Sequence, residues 1–270
     1  MQTTLIGDTK VSVIGQGTYG FSGALDNHRV VDPFVDALRF GYDLGMTLVD
    51  TAEIYGRGDS ERIVGKSIEG RNREDIFIAT KVWTSNLMHD DVLKACKRSL
   101  ARLNTKYIDL YQIHWPNHSV PMKETMLAFD ELMDSGLIRN IGVSNFSMNQ
   151  MREAQDALTK FRIVSNQVPF SLDEREIETS VIPYCRKNEI AVIAYSPLKH
   201  TNFGRGNLAK TLNQISKDLN KTPRQIALNW LISKSSIPIP KASKIEHVKE
   251  NSEASDFVLG SAEMAQLNSL

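Results

Sequence analysis

The sequence predicts an α/β chain folded as a (β/α)8 barrel with a short N-terminal β-hairpin, in a single domain over residues 1–270. Two observations carry this. Eight short runs rich in β-branched residues recur about 32 residues apart, the length of a strand plus its crossover helix. Several of these runs are apolar at nearly every position, as strands buried on both faces must be. An open doubly wound sheet, the competing class, usually stops at five or six strands.

The elements follow in order. Thr3 to Val13 holds two short alternating runs around Gly7-Asp8, a hairpin that could close the barrel from below. The eight strand runs begin near Val11, Met46, Ile76, Ile108, Arg139, Ile163, Ile190 and Ile237. Between them, Phe34–Leu44, Ser60–Ile68, Leu93–Leu103 and Thr125–Met133 place apolar residues three and four apart, as helices with one buried face do. Thr222-Pro223 reads as an N-cap followed by proline at the first helical position, and Gly70 and Gly136 suit helix ends. The longest interval, before the eighth strand, contains Asn202 to Asn207 and is expected to hold a mobile loop.

Composition excludes several classes. The chain has 32 basic and 32 acidic residues, so it lacks the basic surplus that nucleic-acid binding by counterion release requires. No apolar run reaches the length of a membrane span, and no secretion signal opens the sequence, so a cytoplasmic protein is expected. Cys96 and Cys185 read as buried structural thiols in a reducing compartment, with a disulfide or metal site as the alternative. Histidine pairs at zinc spacing are absent, and no metal is expected.

Gly15 to Gly20 spells GxGxxG after a strand, the form of a dinucleotide fingerprint. That motif needs a helix to start at once, with its N-terminus aimed at a pyrophosphate. Helical periodicity returns only near Phe34, so the segment reads as a flexible loop at the barrel mouth.

The chemistry lies at strand ends, because barrels of this class carry their sites on the C-terminal face. Three runs end in Asp50, Lys81 and His114, and Tyr55 follows Asp50 in the same loop. Singly, these residues would serve as a helix cap, a solvated rim lysine, a structural histidine and a packing tyrosine. Together on neighbouring strands they form a proton-transfer group. A tyrosine is a poor acid at neutral pH, and an adjacent ammonium can lower its pKa by roughly 1–3 units. Asp50 would hold Lys81, and His114 would hydrogen-bond the oxygen that Tyr55 protonates. No nucleophile stands beside a base, which argues against acyl transfer. Carbonyl reduction would take its hydride from a nicotinamide cofactor.

The residues now quoted, extended to GMTLVDTAEIYGRGDSERIVG (45–65), IFIATKVW, IDLYQIHWP, IRNIGVSNF and IPIPKASKIEHVKEN, resemble the aldo-keto reductase family over nearly the whole chain, as a small microbial-type member with a short C-terminus. The resemblance implies an NADP(H)-dependent oxidoreductase acting on a small-molecule carbonyl substrate, and a monomer. It implies Tyr55 as general acid, Lys81 as its pKa modifier, Asp50 as the partner of Lys81 and His114 as the group orienting the carbonyl. Asp50 also counts among the cofactor contacts. Ser144, Asn145 and Gln167 would bind the carboxamide, and Tyr195 would stack on the nicotinamide. Gly17, Thr18 and Tyr19 would lie along the cofactor, with Ser196, Pro197 and Leu198 beside the pyrophosphate. Lys241, Ala242, Ser243, His247, Glu250 and Asn251 match the adenosine end, where Lys241 would meet a 2′-phosphate and Ser243 would cap the next helix. His247 stands where many members carry arginine, which leaves NAD(H) possible. Ile54, Trp83 and Trp115, with Phe21 nearby, would wall the substrate pocket. The alternative is a nucleotide-binding regulatory subunit of the same fold with little turnover. A barrel using Lys81 as a Schiff base would leave Tyr195 and the Lys241 segment without a role.

Overall fold

In the computed structural model, residues 1–22, 28–198 and 203–270 are described, with backbone alone over 28–32. The chain opens with β1 (Thr3–Ile6) and β2 (Thr9–Ser12), an antiparallel pair turning at Gly7. The barrel strands follow: β3 (Gln16–Gly17), β4 (Leu48–Asp50), β5 (Phe77–Val82), β6 (Leu110–Ile113), β7 (Ile141–Ser144), β8 (Ile163–Pro169), β9 (Ala191–Tyr195) and β10 (Ser236–Pro238). They pair in chain order, every pair parallel. Gly15 N donates to Pro238 O at 2.9 Å and Gly17 N to Pro240 O at 3.2 Å, which joins the first strand to the last.

This closure needs glycine at position 17. A Cβ there would sit 2.5 Å from the carbonyl oxygen of Ile239. The barrel interior is filled by Leu48, Phe77, Ala79, Leu110, Ile193 and Ile237, and Ile6 and Val11 from the hairpin pack against them. The hairpin therefore plugs the lower end of the barrel, as its sequence position suggested.

Helices α1 (His28–Asp43), α2 (Asp59–Ile68), α3 (His89–Leu103), α4 (Met122–Asp134), α5 (Met148–Ala157), α6 (Val181–Lys187), α7 (Gly206–Leu219), α8 (Pro223–Ser233), α9 (Ile245–Ser252) and α10 (Ser261–Asn268) surround the sheet. Thr222 caps α8 in a reciprocal capping box with Gln225. Gly70 and Gly136 lie past helix ends with φ of 79° and 70°.

Four expectations need correction. The run at Val11 belongs to the hairpin, and the first barrel strand is the two-residue β3. Helix α1 starts at His28 and carries Pro33 within it, although the GxGxxG segment still has no helix directly behind it. The segment expected to be a loop before the eighth strand is partly helical. Gly206 and Asn207 open α7, which buries Ala209, Leu212 and Ile215, while Asn202 lies outside the described residues. Phe21 is fully buried and stacks on Phe34 with centroids 4.3 Å apart, so it belongs to the core.

Cys96 and Cys185 are both free and buried, and burial pushes each thiol up to about 12. They are packing residues with no thiolate chemistry at neutral pH. Among the described residues, no helix is long and apolar enough to cross a membrane.

Candidate active site

A cavity of about 750 Å³ opens at the C-terminal ends of the strands. Asp50 closes β4, Lys81 is the penultimate residue of β5, and His114 follows β6 directly. Inward-facing residues alternate along a strand, so Phe77, Ala79 and Lys81 face the barrel axis in turn. Tyr55 comes from the loop after β4, where Gly56 and Arg57 adopt left-handed φ of 55° and 56°. That tight turn returns the phenol over the end of β5.

The four side chains meet. Lys81 Nζ donates to Asp50 Oδ1 at 2.9 Å, to Asp50 Oδ2 at 2.8 Å and to Thr51 O at 2.9 Å, and lies 3.5 Å from Tyr55 Oη. Gln167 Nε2 donates to Asp50 Oδ1 at 2.7 Å. Lys81 is fully buried. Burial opposes its charge, but Asp50 and Tyr55 hold its pKa above the ordinary lysine value. It therefore stays an ammonium.

Tyr55 departs from the sequence expectation. Lys81 does lower its pKa, but burial outweighs that pull, and the phenol sits above its ordinary value of 10.0. Burial is the largest influence, and the Asp50 carboxylate paired with Lys81 adds a smaller push against the phenolate. Tyr55 is thus protonated at neutral pH.

His114 lies edge-on to Tyr55, with centroids 5.5 Å apart, and to Trp83 at 5.1 Å. Burial first, and the Lys81 ammonium second, lower its pKa from 6.5 to about 3. The ring is neutral. Its Nδ1 is buried without a partner, so the tautomer protonated at Nε2 leaves that atom a bare acceptor rather than a stranded donor.

A pH consequence follows from this depressed pKa. Between about pH 6.5 and 3 the unfolded chain binds a proton at His114 that the folded chain refuses. Its contribution to stability is complete above pH 6.5 and declines as pH falls, by up to roughly 1.4 kcal/mol per unit. Urea denaturation of His114→Phe should accordingly show a shallower acid decline than the parent. Parallel stability–pH curves would refute the assignment.

The cofactor candidates form a second wall. Asn145 donates through Nδ2 to His114 O at 3.1 Å and to Ser144 Oγ at 3.0 Å. Tyr195 Oη donates to Asn145 Oδ1 at 2.9 Å. Asn145 and Ser196 hold left-handed φ of 63° and 52°, a strained backbone of the kind that clusters at functional sites. Gly17, Tyr19, Ile54, Trp115, Pro197 and Lys241 also line the cavity.

Other expected residues lie outside its wall. Thr18 is fully buried, and its hydroxyl is spent on Asp50 O at 2.9 Å and Ser60 Oγ at 2.6 Å. Leu198 and Ala242 pack against hydrophobic clusters. Ser243 does not cap α9, because Lys244 occupies the N-cap position and no side chain bonds the helix start. His247 is exposed and Asn251 buried, while Glu250 accepts from Thr222 Oγ1 at 2.7 Å. Gly20, from the segment expected at the barrel mouth, also lines the cavity, as do Ser22 and Ile239, which sequence reasoning missed. The strand-end rule could have found Ile239, one residue beyond β10.

Comparison with known proteins identifies the family of the chain. The Aldo/keto reductase family model matches residues 13–270. The chain is 38% identical to methylglyoxal reductase YeaE of Escherichia coli over 265 residues, covering 97% of this chain and 92% of that protein. A thermostable aldo-keto reductase crystallised with the inhibitor epalrestat superposes with a TM-score of 0.94 at 38% identity, over 100% of this chain and 99% of that one. An aldo/keto reductase from Klebsiella pneumoniae, in complex with NADP and acetate, gives 0.89 at 34% identity, over 98% and 93% of the two chains. The chain with this tyrosine, lysine, aspartate and histidine at the mouth of its barrel belongs to the aldo/keto reductase family.

Proposed function

We propose that this chain is an NADP(H)-dependent carbonyl reductase that converts aldehydes or ketones to alcohols. The observation that carries the reading is a buried ammonium, Lys81, held on Asp50 and 3.5 Å from the Tyr55 phenol at the foot of the cavity.

The residues present fit a nicotinamide. Gln167 donates its amide to Asp50, which leaves its carbonyl oxygen to accept from a carboxamide N–H. Ser144 and Asn145 stand beside it, and the half-buried Tyr195 is tied to Asn145. Lys241, exposed at the cavity edge, suits a 2′-phosphate. Reduced nicotinamide, when bound, supplies a hydride that no side chain of the protein can.

The chain's own groups manage the proton. The Nε2–H of neutral His114 orients the substrate carbonyl oxygen. Tyr55 gives its proton to that oxygen as the alcohol forms. The phenolate left behind is stabilised by Lys81, so the ammonium acts on the product state of the transfer. Asp50 and Thr51 O keep Lys81 from drifting away.

Two measurements test this. Oxidation of NADPH and NADH is followed with a panel of methylglyoxal, simple aldehydes and aldoses. Turnover supports the reductase, whereas tight nucleotide binding with no turnover on any member supports a regulatory subunit instead. Lys241→Ala should weaken NADPH by roughly tenfold, the worth of one charge-assisted contact, and leave NADH nearly unchanged. Equal losses for both would remove Lys241 from the 2′-phosphate.

A further inference from the structure

One buried carboxylate has no part in the proton chemistry. Glu53 lies between Asp50 and Tyr55 in the loop after β4, and its side chain is only 8% exposed. Its Oε1 accepts from the backbone N–H of Trp83 at 2.6 Å and from Asn86 Nδ2 at 3.0 Å. Its Oε2 faces the Arg98 guanidinium of α3 at 3.8 Å. Its own N–H donates to Lys81 O at 3.3 Å. Burying a carboxylate is costly unless donors replace the lost water. Here the donors come from the segment after β5, and both converge on one oxygen.

The tie fixes one residue that touches the site. Trp83 is half-buried, lines the cavity and stands edge-on to His114. Asn117 Nδ2 donates to Thr84 O at 3.0 Å, so the residue after Trp83 is tethered to the loop beyond β6. A charge-assisted bond to a main-chain N–H sets the position of the whole residue, and the indole follows its backbone.

We propose that Glu53 is a positioning residue. It holds the Trp83 backbone so that the indole forms the substrate wall beside His114, and thereby sets affinity for carbonyl compounds with bulky bodies. The proposal rests on the reductase reading of the cavity. Glu53 takes no part in proton transfer and does not line the cavity.

The test is a double-mutant cycle of Glu53→Ala and Trp83→Ala, read with NADPH against methylglyoxal and against an aromatic aldehyde. Glu53→Ala should raise KM for the aromatic aldehyde by roughly tenfold, in keeping with the effect of misplacing a wall by a fraction of an ångström. Its KM for methylglyoxal and its NADPH affinity should hold. In the Trp83→Ala background the same change should cost little, because the wall it positions is gone. Glu53→Gln keeps an acceptor oxygen for both donors and should restore most of the affinity. If Glu53→Ala does not fold, Glu53→Asp retains the charge but withdraws the oxygen from Trp83, and replaces it in the cycle. Losses that simply add, or that fall equally on both substrates and on NADPH, overturn the proposal. The difference in fluorescence between each protein and its Trp83→Ala partner should also move to longer wavelength without Glu53. That readout stands even if no carbonyl is turned over, so failure of the reductase reading and failure of this one are separable. An unmoved spectrum counts against Glu53.

Discussion

Tyr55→Phe should lose roughly 10²–10⁴ in turnover, the usual worth of a positioned general acid, while binding NADPH as before. The substitution removes one oxygen from a half-buried ring whose packing is otherwise kept. Tyr19 lies edge-on to that ring at 5.2 Å and His114 at 5.5 Å, and neither contact needs the hydroxyl. Stability should therefore stay within about 1 kcal/mol of the parent, because the lost bond to Lys81 is the longest of those the ammonium makes. Turnover measured beside nucleotide affinity and a thermal melt separates the chemical effect from a structural one. A variant that reduces aldehydes at the parental rate would take the proton donor's role away from Tyr55.

Lys81→Ala should damage both chemistry and fold. The ammonium is fully buried and satisfies both oxygens of Asp50. Its loss leaves the carboxylate with Gln167 as its remaining side-chain donor. Breaking such a pair from one side costs about 3–5 kcal/mol, which lowers the melting temperature on the order of 10 °C in a chain of this size. Adding Asp50→Asn should recover part of the lost stability, since a neutral amide no longer needs a cation, while turnover stays low. A double variant no more stable than Lys81→Ala alone would argue that the damage comes from the empty volume rather than from the stranded charge.

The candidate catalytic residues were legible because their positions follow from two simple regularities. Strand side chains alternate, and polar groups inside a barrel collect where its strands end. Asp50, Lys81 and His114 stand out against the apolar runs that precede them. The first barrel strand was not legible. Gln16 and Gly17 carry no apolar pattern, and their place in the sheet is set by hydrogen bonds to β4 and to a partner more than 200 residues away. Val11 looked like a strand and is one, but in the hairpin. Helix α7 was hidden by its Gly206 start and by the absence of a side-chain cap. Thr18 and Ser243 show the limit on individual contacts. A hydroxyl can turn either way, and only the neighbours decide. Glu53 carries no mark in a single sequence, since a glutamate in a loop normally reads as solvated. Its burial comes from donors on the next strand's loop.

The way the barrel is shut bears on how the protein responds to its ligands. Strands β3 and β10 have two and three residues, and Gly17 at the end of β3 forms a further bridge to Lys241, past the end of β10. Both of those residues also face the cavity. The clasp of the cylinder and the wall of the cavity therefore share residues from both ends of the chain. A molecule seated there would touch both the first and the last stave, and its binding energy would be added to the hoop.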